Sequence, residues 1–335
     1  MALRPSHLGP AEACPAGNHR SEPGPVERAV LRLVCYFDIF RHPLTRAELV
    51  RLVAPGDDAA VDAALARLVA HGRVQRQEQW CFRPGQAHGV PRRRERAARA
   101  ERRWSQARRS AGALARLPGV RGVLVTGGLS KGSVGEDDDI DFMLLVAPGR
   151  VWTLKSLLQG VRKLGPAGLR DQACTNYLLG TDGLELDDRN VFTAVELATA
   201  VPMHGPEACE ALLARNDWAA RYVPGLDWAR QRARRCPPLP AVRGAARAEA
   251  LLSGRLGERL ESGSLAFWDA YWNRRYAWLP ASVRDQRFKR RPEIATNHLH
   301  DFQDYVLGEL GRRLAAAGAS ETLELSRGGL PVGGP

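Results

Sequence analysis

GVLVTGGLSKGSVGEDDDIDFMLLV, residues Gly122 to Val146, is the stretch from which the rest of the chain can be read. The short apolar run Val123-Leu124-Val125 has the look of a buried strand, broken by the Gly127-Gly128 pair. A polar, glycine-bearing loop follows, and Asp139-Ile140-Asp141 then leads into a second apolar strand, Phe142 to Val146. Side chains alternate across a strand, so Asp139 and Asp141 should face one way and Ile140 and Phe142 the other. The connection is short, which predicts that the diglycine and both carboxylates share one edge of a sheet.

Two neighbouring carboxylates repel each other unless positive charge sits between them. A hard divalent cation, Mg2+ or Mn2+, held by oxygens and completed by water and phosphate, is the usual answer. Glycines at positions 127 and 128 leave room for the backbone to approach a polyphosphate, with N–H groups as donors. Ser130, Lys131 and Ser133 add hydroxyl and ammonium donors to the same loop. Together these are parts suited to group transfer at a nucleoside triphosphate. A solvated acidic turn ahead of a core strand is the plain competing reading, and a sugar-nucleotide DxD is another. The latter normally follows an apolar strand, whereas here the motif begins one.

Thr126-Gly127-Gly128, a gap of ten residues, then Asp139-Ile140-Asp141-Phe142 resembles the signature of the DNA polymerase β-like nucleotidyltransferase superfamily. The resemblance implies a mixed-sheet core with helices, a Mg2+ or Mn2+ cofactor on Asp139 and Asp141, and a nucleoside triphosphate substrate, ATP being the expected one. The acceptor it leaves open: RNA, protein or a small molecule. It also implies a carboxylate on the third strand, which activates the attacking hydroxyl. In the apolar run Ala173 to Gly180 the aligned position is Asn176, whose amide can coordinate a cation but cannot accept a proton at neutral pH. Glu196, in the mostly apolar run NVFTAVELATAVPMHG, needs a partner, either an arginine or the reaction itself. The alternative to an enzyme is therefore a nucleotide-binding regulatory protein, or one that binds DNA or a protein partner without turnover.

The fold class expected is α+β, with such a core flanked by an N-terminal winged-helix-like domain and a C-terminal helical region. Residues 1–26, rich in Pro, Gly and Ala, form the expected disordered leader. Residues 27–86 show three helical patterns, the second capped by Thr45 with Glu48 and the third begun at Asp57 or Asp58, and then two short strands. This order resembles a winged helix. Residues 87–118 read as a basic connecting helix, in which Arg92, Arg96, Arg99 and Arg103 form a stripe. Through residues 92–109 that stripe could contact nucleic acid, although local pairing with Glu95 and Glu101 is the simpler reading. The core is expected over 119–236, the helical region over 237–318 after Pro237-Pro238-Leu239-Pro240, and a flexible tail over 319–335. The order also resembles that of a group of bacterial proteins with a winged-helix-like front and a nucleotidyltransferase core.

Charge and composition narrow the classes. A net charge of +12 in 335 residues favours an anionic partner. No apolar run approaches the ~20 residues of a membrane span, so no membrane partner is expected. The six cysteines are scattered without CxxC spacing, which predicts reduced thiols and a cytoplasmic protein. The aromatic residues Phe267, Trp268, Tyr271 and Trp272 lie at helical spacing, a pattern that usually means core and less often base stacking. The basic run Arg287, Lys289, Arg290 and Arg291 could hold a triphosphate or an acidic acceptor.

Overall fold

The computed structural model describes residues 22–164, 173–226, 249–250, 252, 254–297 and 303–319. The expected leader (except residues 22–26), the Pro237–Pro240 boundary and the tail beyond residue 319 lie outside them. The chain is of the α+β class. Its N-terminal unit comprises α1 (Pro25–Asp38), β1 (Leu44–Thr45), α2 (Arg46–Val53), α3 (Asp58–Ala70), β2 (Gln75–Gln77) and β3 (Trp80–Phe82). Thr45 caps α2: its hydroxyl accepts from the Glu48 amide at 3.1 Å and Glu48 returns a carboxylate to the Thr45 amide at 2.7 Å. Asp57 caps α3 by a single bond, its carboxylate accepting from the Ala60 amide at 2.9 Å. The expected two-stranded hairpin gains a third strand, since Leu44 and Thr45 pair with Cys81 and Trp80.

A long helix, α4 (Gly89–Leu114), leads to β4 (Val120–Val125), the single turn α5 (Gly127–Ser130) and β5 (Ile140–Val146). Next come α6 (Val151–Leu164), β6 (Ala173–Gly180), α7 (Val191–Thr199), β7 (Val201–His204) and α8 (Pro206–Arg215). The last elements are α9 (Gly254–Arg275), α10 (Ala281–Arg287), β8 (Arg290–Arg291), β9 (Ile294–Thr296) and α11 (Gln303–Ala316). The region expected to be helical over 237–318 therefore also supplies two strands, β9 joining the sheet by pairing with β6 far along the chain. The main sheet runs β7-β4-β5-β6-β9-β8, and only the β5–β6 pair is parallel. Pro202 is accommodated because β7 is an edge strand.

Strand alternation splits the interior into two cores. Ile140, Phe142, Leu144 and Val146 of β5 enter one, with Trp104, Ala107, Ala111 and Leu114 of α4 and with Val151, Trp152 and Leu154 of α6. Met143 and Leu145 enter the other, with α7 and with Val30, Leu31 and Val34 of α1. Helix α4 is thus a layer of the sheet domain and not a connector. Its buried positions 100, 104, 107, 111 and 114 recur at helical spacing, and arginines occupy much of the rest. The N-terminal unit covers the opposite face of the sheet, on the side to which Asp141 points by its parity with Met143 and Leu145.

Candidate active site

Strand β4 ends at Val125, and the chain enters α5 through Gly127 with φ near +63°. The Thr126 amide donates to the Asp141 carbonyl at 3.0 Å, so the glycine bend is tied to the start of β5. A Cβ on Gly127 would stand 2.1 Å from Asp141 Oδ2, and one on Gly128 would stand 2.6 Å from the Ser133 carbonyl. Only glycine allows both the left-handed turn and this approach of a carboxylate to the backbone. The two halves of the motif are in contact.

Asp141 is half-buried and Asp139, just before β5, is exposed. Burial, then Glu196, Asp139 and Asp138, push the Asp141 carboxyl up to about 6, while Lys131 acts in the other direction. Glu196 reaches this place from α7. Its carboxylate receives the Lys131 ammonium at 2.8 Å, and Lys131 also donates to the Gly127 carbonyl at 3.2 Å. The structure therefore brings Asp141, Lys131 and Glu196 together at the Gly127 bend, with Asp139 close enough to act on Asp141 through its charge. Acid outweighs base there, and all the acidic atoms are hard oxygen donors. Such a set suits a hard cation. Among the described residues no three His, Cys, Asp or Glu side chains converge as a metal site by themselves. A cation on Asp139 and Asp141 would take the rest of its shell from water and phosphate, as Mg2+ commonly does.

The loop serines are used differently from the expectation. Ser130 donates its hydroxyl to the Gly127 carbonyl at 2.9 Å, which closes the turn. Ser133 is buried and accepts from Arg96 Nε at 2.8 Å. Both stiffen the loop. Asn176 sits on β6 in a register irregularity: Asp141 lies opposite Cys174 and Met143 opposite Tyr177, so Asn176 has no β5 partner. Its Oδ1 accepts from the Cys174 thiol at 3.1 Å. Burial, then Asp141 and Asp139, raise the Cys174 thiol. The third carboxylate brought near Asp141 is Glu196.

Several residues were not legible as site components. Arg93, buried in α4, donates to His42 Nε2 at 3.1 Å, to the Gly132 carbonyl at 2.8 Å and to Glu48 at 2.9 Å, and its guanidinium lies 5.4 Å from the Trp80 ring centroid. Arg96 holds Ser133 and Asp138, and Arg99 holds the Val134 carbonyl and Glu136. Among the described residues, Arg96 and Arg99 of the stripe thus pair with the loop between the glycines and Asp139, in place of the polynucleotide, or of Glu95 and Glu101 in their own helix, that the sequence suggests. Arginines one turn apart were visible in the sequence, but their targets, 35 to 42 residues away, were not. Tyr36 of α1 is fully buried, its hydroxyl has no hydrogen-bond partner among the described residues, and burial followed by Glu196 raises it well above the usual phenol value.

The basic run near residue 290 is also committed elsewhere. Lys289 pairs with Asp187 and Asp188, Arg290 with Asp269 and Asp285, and Arg291 with Asp187 and Glu293. His298, His300 and Asp301 lie outside the described residues. Two clefts, of about 400 and 190 Å3, lie at the other end of the sheet, around Thr181–Asp187 and around Gly119 and Ala147. No protein-family profile, curated protein or solved structure matches the chain. None of the helices among the described residues is long and apolar enough to cross a membrane.

Proposed function

We propose that the chain is a Mg2+-dependent nucleotidyltransferase that moves a nucleoside monophosphate from a triphosphate, ATP in the first instance, to an acceptor hydroxyl with release of pyrophosphate. The observation that carries this reading is the contact between Asp141 and the Cα of Gly127 inside a cluster rich in carboxylates. It joins a glycine backbone bend to a pair of carboxylates in one place. On this reading the main sheet is a polymerase β-like core and the N-terminal unit is winged-helix-like.

Asp139 and Asp141 would hold the ion, which when bound supplies positive charge to offset that on the triphosphate. Gly127 and Gly128 let backbone amides approach the β- and γ-phosphates. Lys131 supplies a positive charge at the mouth of the bend, while Ser130 holds the bend closed. Glu196 is the group to take the proton from the attacking hydroxyl once Lys131 turns to the phosphates, since Asn176 cannot accept one. Placement of the reacting groups and electrostatic support, rather than covalent chemistry, would do the catalysis.

The second reading is a nucleotide-binding protein without turnover, and the position of Asn176, bonded to the Cys174 thiol, favours it. Titration calorimetry with Mg·ATP, followed by turnover of labelled ATP over RNA, protein and small-molecule acceptors, separates the two. Binding lost in Asp139→Asn, together with pyrophosphate release by the wild type, supports the enzyme. Binding without release under every acceptor supports the second reading, and no binding at all removes both.

A further inference from the structure

With Arg93, Arg96 and Arg99 turned inward, the outer side of α9 offers a better-built surface for an anionic polymer. This helix buries Gly257, Glu261 and Trp272 against the sheet domain. Phe267 and Tyr271 stand on its solvent side, 60% and 44% exposed, and Trp278 just past its end is 69% exposed. Positions 267, 271 and 274 fall on one stripe of the helix at i, i+4 and i+7, and Trp278 lies in the turn that follows it. Large rings left open to water in this number mark an interaction site more often than chance exposure.

The charges along this helix point to the partner, with Arg274 and Arg275 nearest the rings in sequence. Arg255, Arg259 and Arg274 are exposed and form no ion pair among the described residues, and Arg275 lies over the Tyr276 ring at 5.6 Å. Of the acids on α9, Glu261 accepts from the Trp152 and Thr153 amides and Asp269 pairs with Arg290, so Glu258 alone is left to oppose four arginines. The whole chain carries +12, which points the same way.

We propose that this face binds single-stranded nucleic acid, with bases stacked on Phe267, Tyr271 and Trp278 and phosphates held by Arg274 and Arg275. Exposed rings need the open faces of unstacked bases, which a duplex hides, and arginine serves both phosphate and ring. The inference is independent of the catalytic proposal.

The test is fluorescence anisotropy of labelled 15-nucleotide RNA and DNA single strands, and of a duplex of the same length, with full-length protein. Single strands should bind in preference to the duplex and quench tryptophan emission. Phe267→Ala, Tyr271→Ala and Trp278→Ala should each weaken binding by roughly 5- to 100-fold. Arg274→Ala should lower the slope of log K against log salt by about 0.7. Thermal melts of each variant matching the wild type show that the fold is intact. Absence of single-strand binding at low salt, or equal binding by the triple aromatic variant with an unchanged melt, overturns the proposal. So does a wild-type dimer, seen by light scattering, that the triple variant dissociates, because the exposed Leu256 and Leu260 would then belong to a self-interface.

Discussion

Lys131 reaches across from the glycine loop to Glu196 of α7, Nζ to Oε2 at 2.8 Å, and so holds together two segments 65 residues apart beside Asp141. The pair is only partly buried, with side chains 13% and 31% exposed. Removing Lys131 leaves Glu196 and Asp141 facing each other without their nearest positive charge. Lys131→Met should lose about 1–2 kcal/mol of stability at neutral pH, between the surface and buried limits. Millimolar Mg2+ should restore part of it, by occupying the same field. Urea unfolding with and without Mg2+ reads both effects, and a loss indifferent to Mg2+ speaks against a cation at this place.

The glycine bend gives a sharper expectation. At Gly127 a methyl group would meet Asp141 Oδ2 and would also have to take a left-handed backbone. Gly127→Ala should cost at least about 1–2 kcal/mol and should abolish Mg·ATP binding, because Asp141 must leave its position. Gly128→Ala meets the Ser133 backbone instead, so its damage should appear as loosened loop amides in hydrogen exchange. Tight Mg·ATP binding by Gly127→Ala would separate the bend from the site.

His42 links stability to pH. Its imidazole is buried, and burial, followed by Arg93, Lys131 and Arg96, drives it well below its ordinary value. The folded protein therefore keeps His42 neutral, accepting from Arg93, while the unfolded chain takes up a proton near the usual histidine value. Unfolding then binds a proton, so stability is complete above about pH 6.5 and falls as pH drops below it. The slope should reach about 1.4 kcal/mol per unit from this group. His42→Gln should flatten that segment of a pH–stability curve measured by urea unfolding between pH 5 and 7. An unchanged slope would mean that His42 is protonated in the native state.

Arg93 and Arg94 are adjacent in α4 and should behave oppositely. Arg93 and its partner Glu48 have side chains 4% and 13% exposed, whereas Arg94 and Glu78 lie in the open at 54% and 62%. Arg93→Ala removes the paired cation from the largely buried Glu48 carboxylate, which keeps its bonds to Thr45, and frees the Gly132 carbonyl; it should cost about 3 kcal/mol. Arg94→Ala should cost no more than about 1 kcal/mol. Equal losses in denaturant unfolding would refute the hub described for Arg93.

Local pattern was enough for much of the architecture. Thr45 with Glu48 announced a helix start because the capping groups lie three residues apart, and Asp57 did so likewise. The alternation Ile140, Asp141, Phe142, Met143 already placed Asp141 on the face opposite Phe142. It could not reveal what covers that face. That α1 packs there, that α4 is a core layer, and that Arg96 and Arg99 bind the loop before Asp139 all depend on residues far along the chain. Glu196 was visible only as a carboxylate in need of a partner, since no spacing rule connects α7 to a loop 65 residues earlier.

The chain by itself determined the first three helices, the caps of α2 and α3, the glycine bend and the two acids beyond it, because each follows from steric and hydrogen-bonding preferences acting within a few residues. Strands β1, β7, β8 and β9, by contrast, exist through pairing with other strands, most of them distant in the chain. Tertiary structure alone decided that Glu196 and Lys131 stand beside those acids, and that Arg93, Arg96 and Arg99 serve the loop. It also decided which aromatic rings of α9 face water. Burial and long-range charge fix such choices, and both are properties of the packed chain that no local stretch of sequence carries.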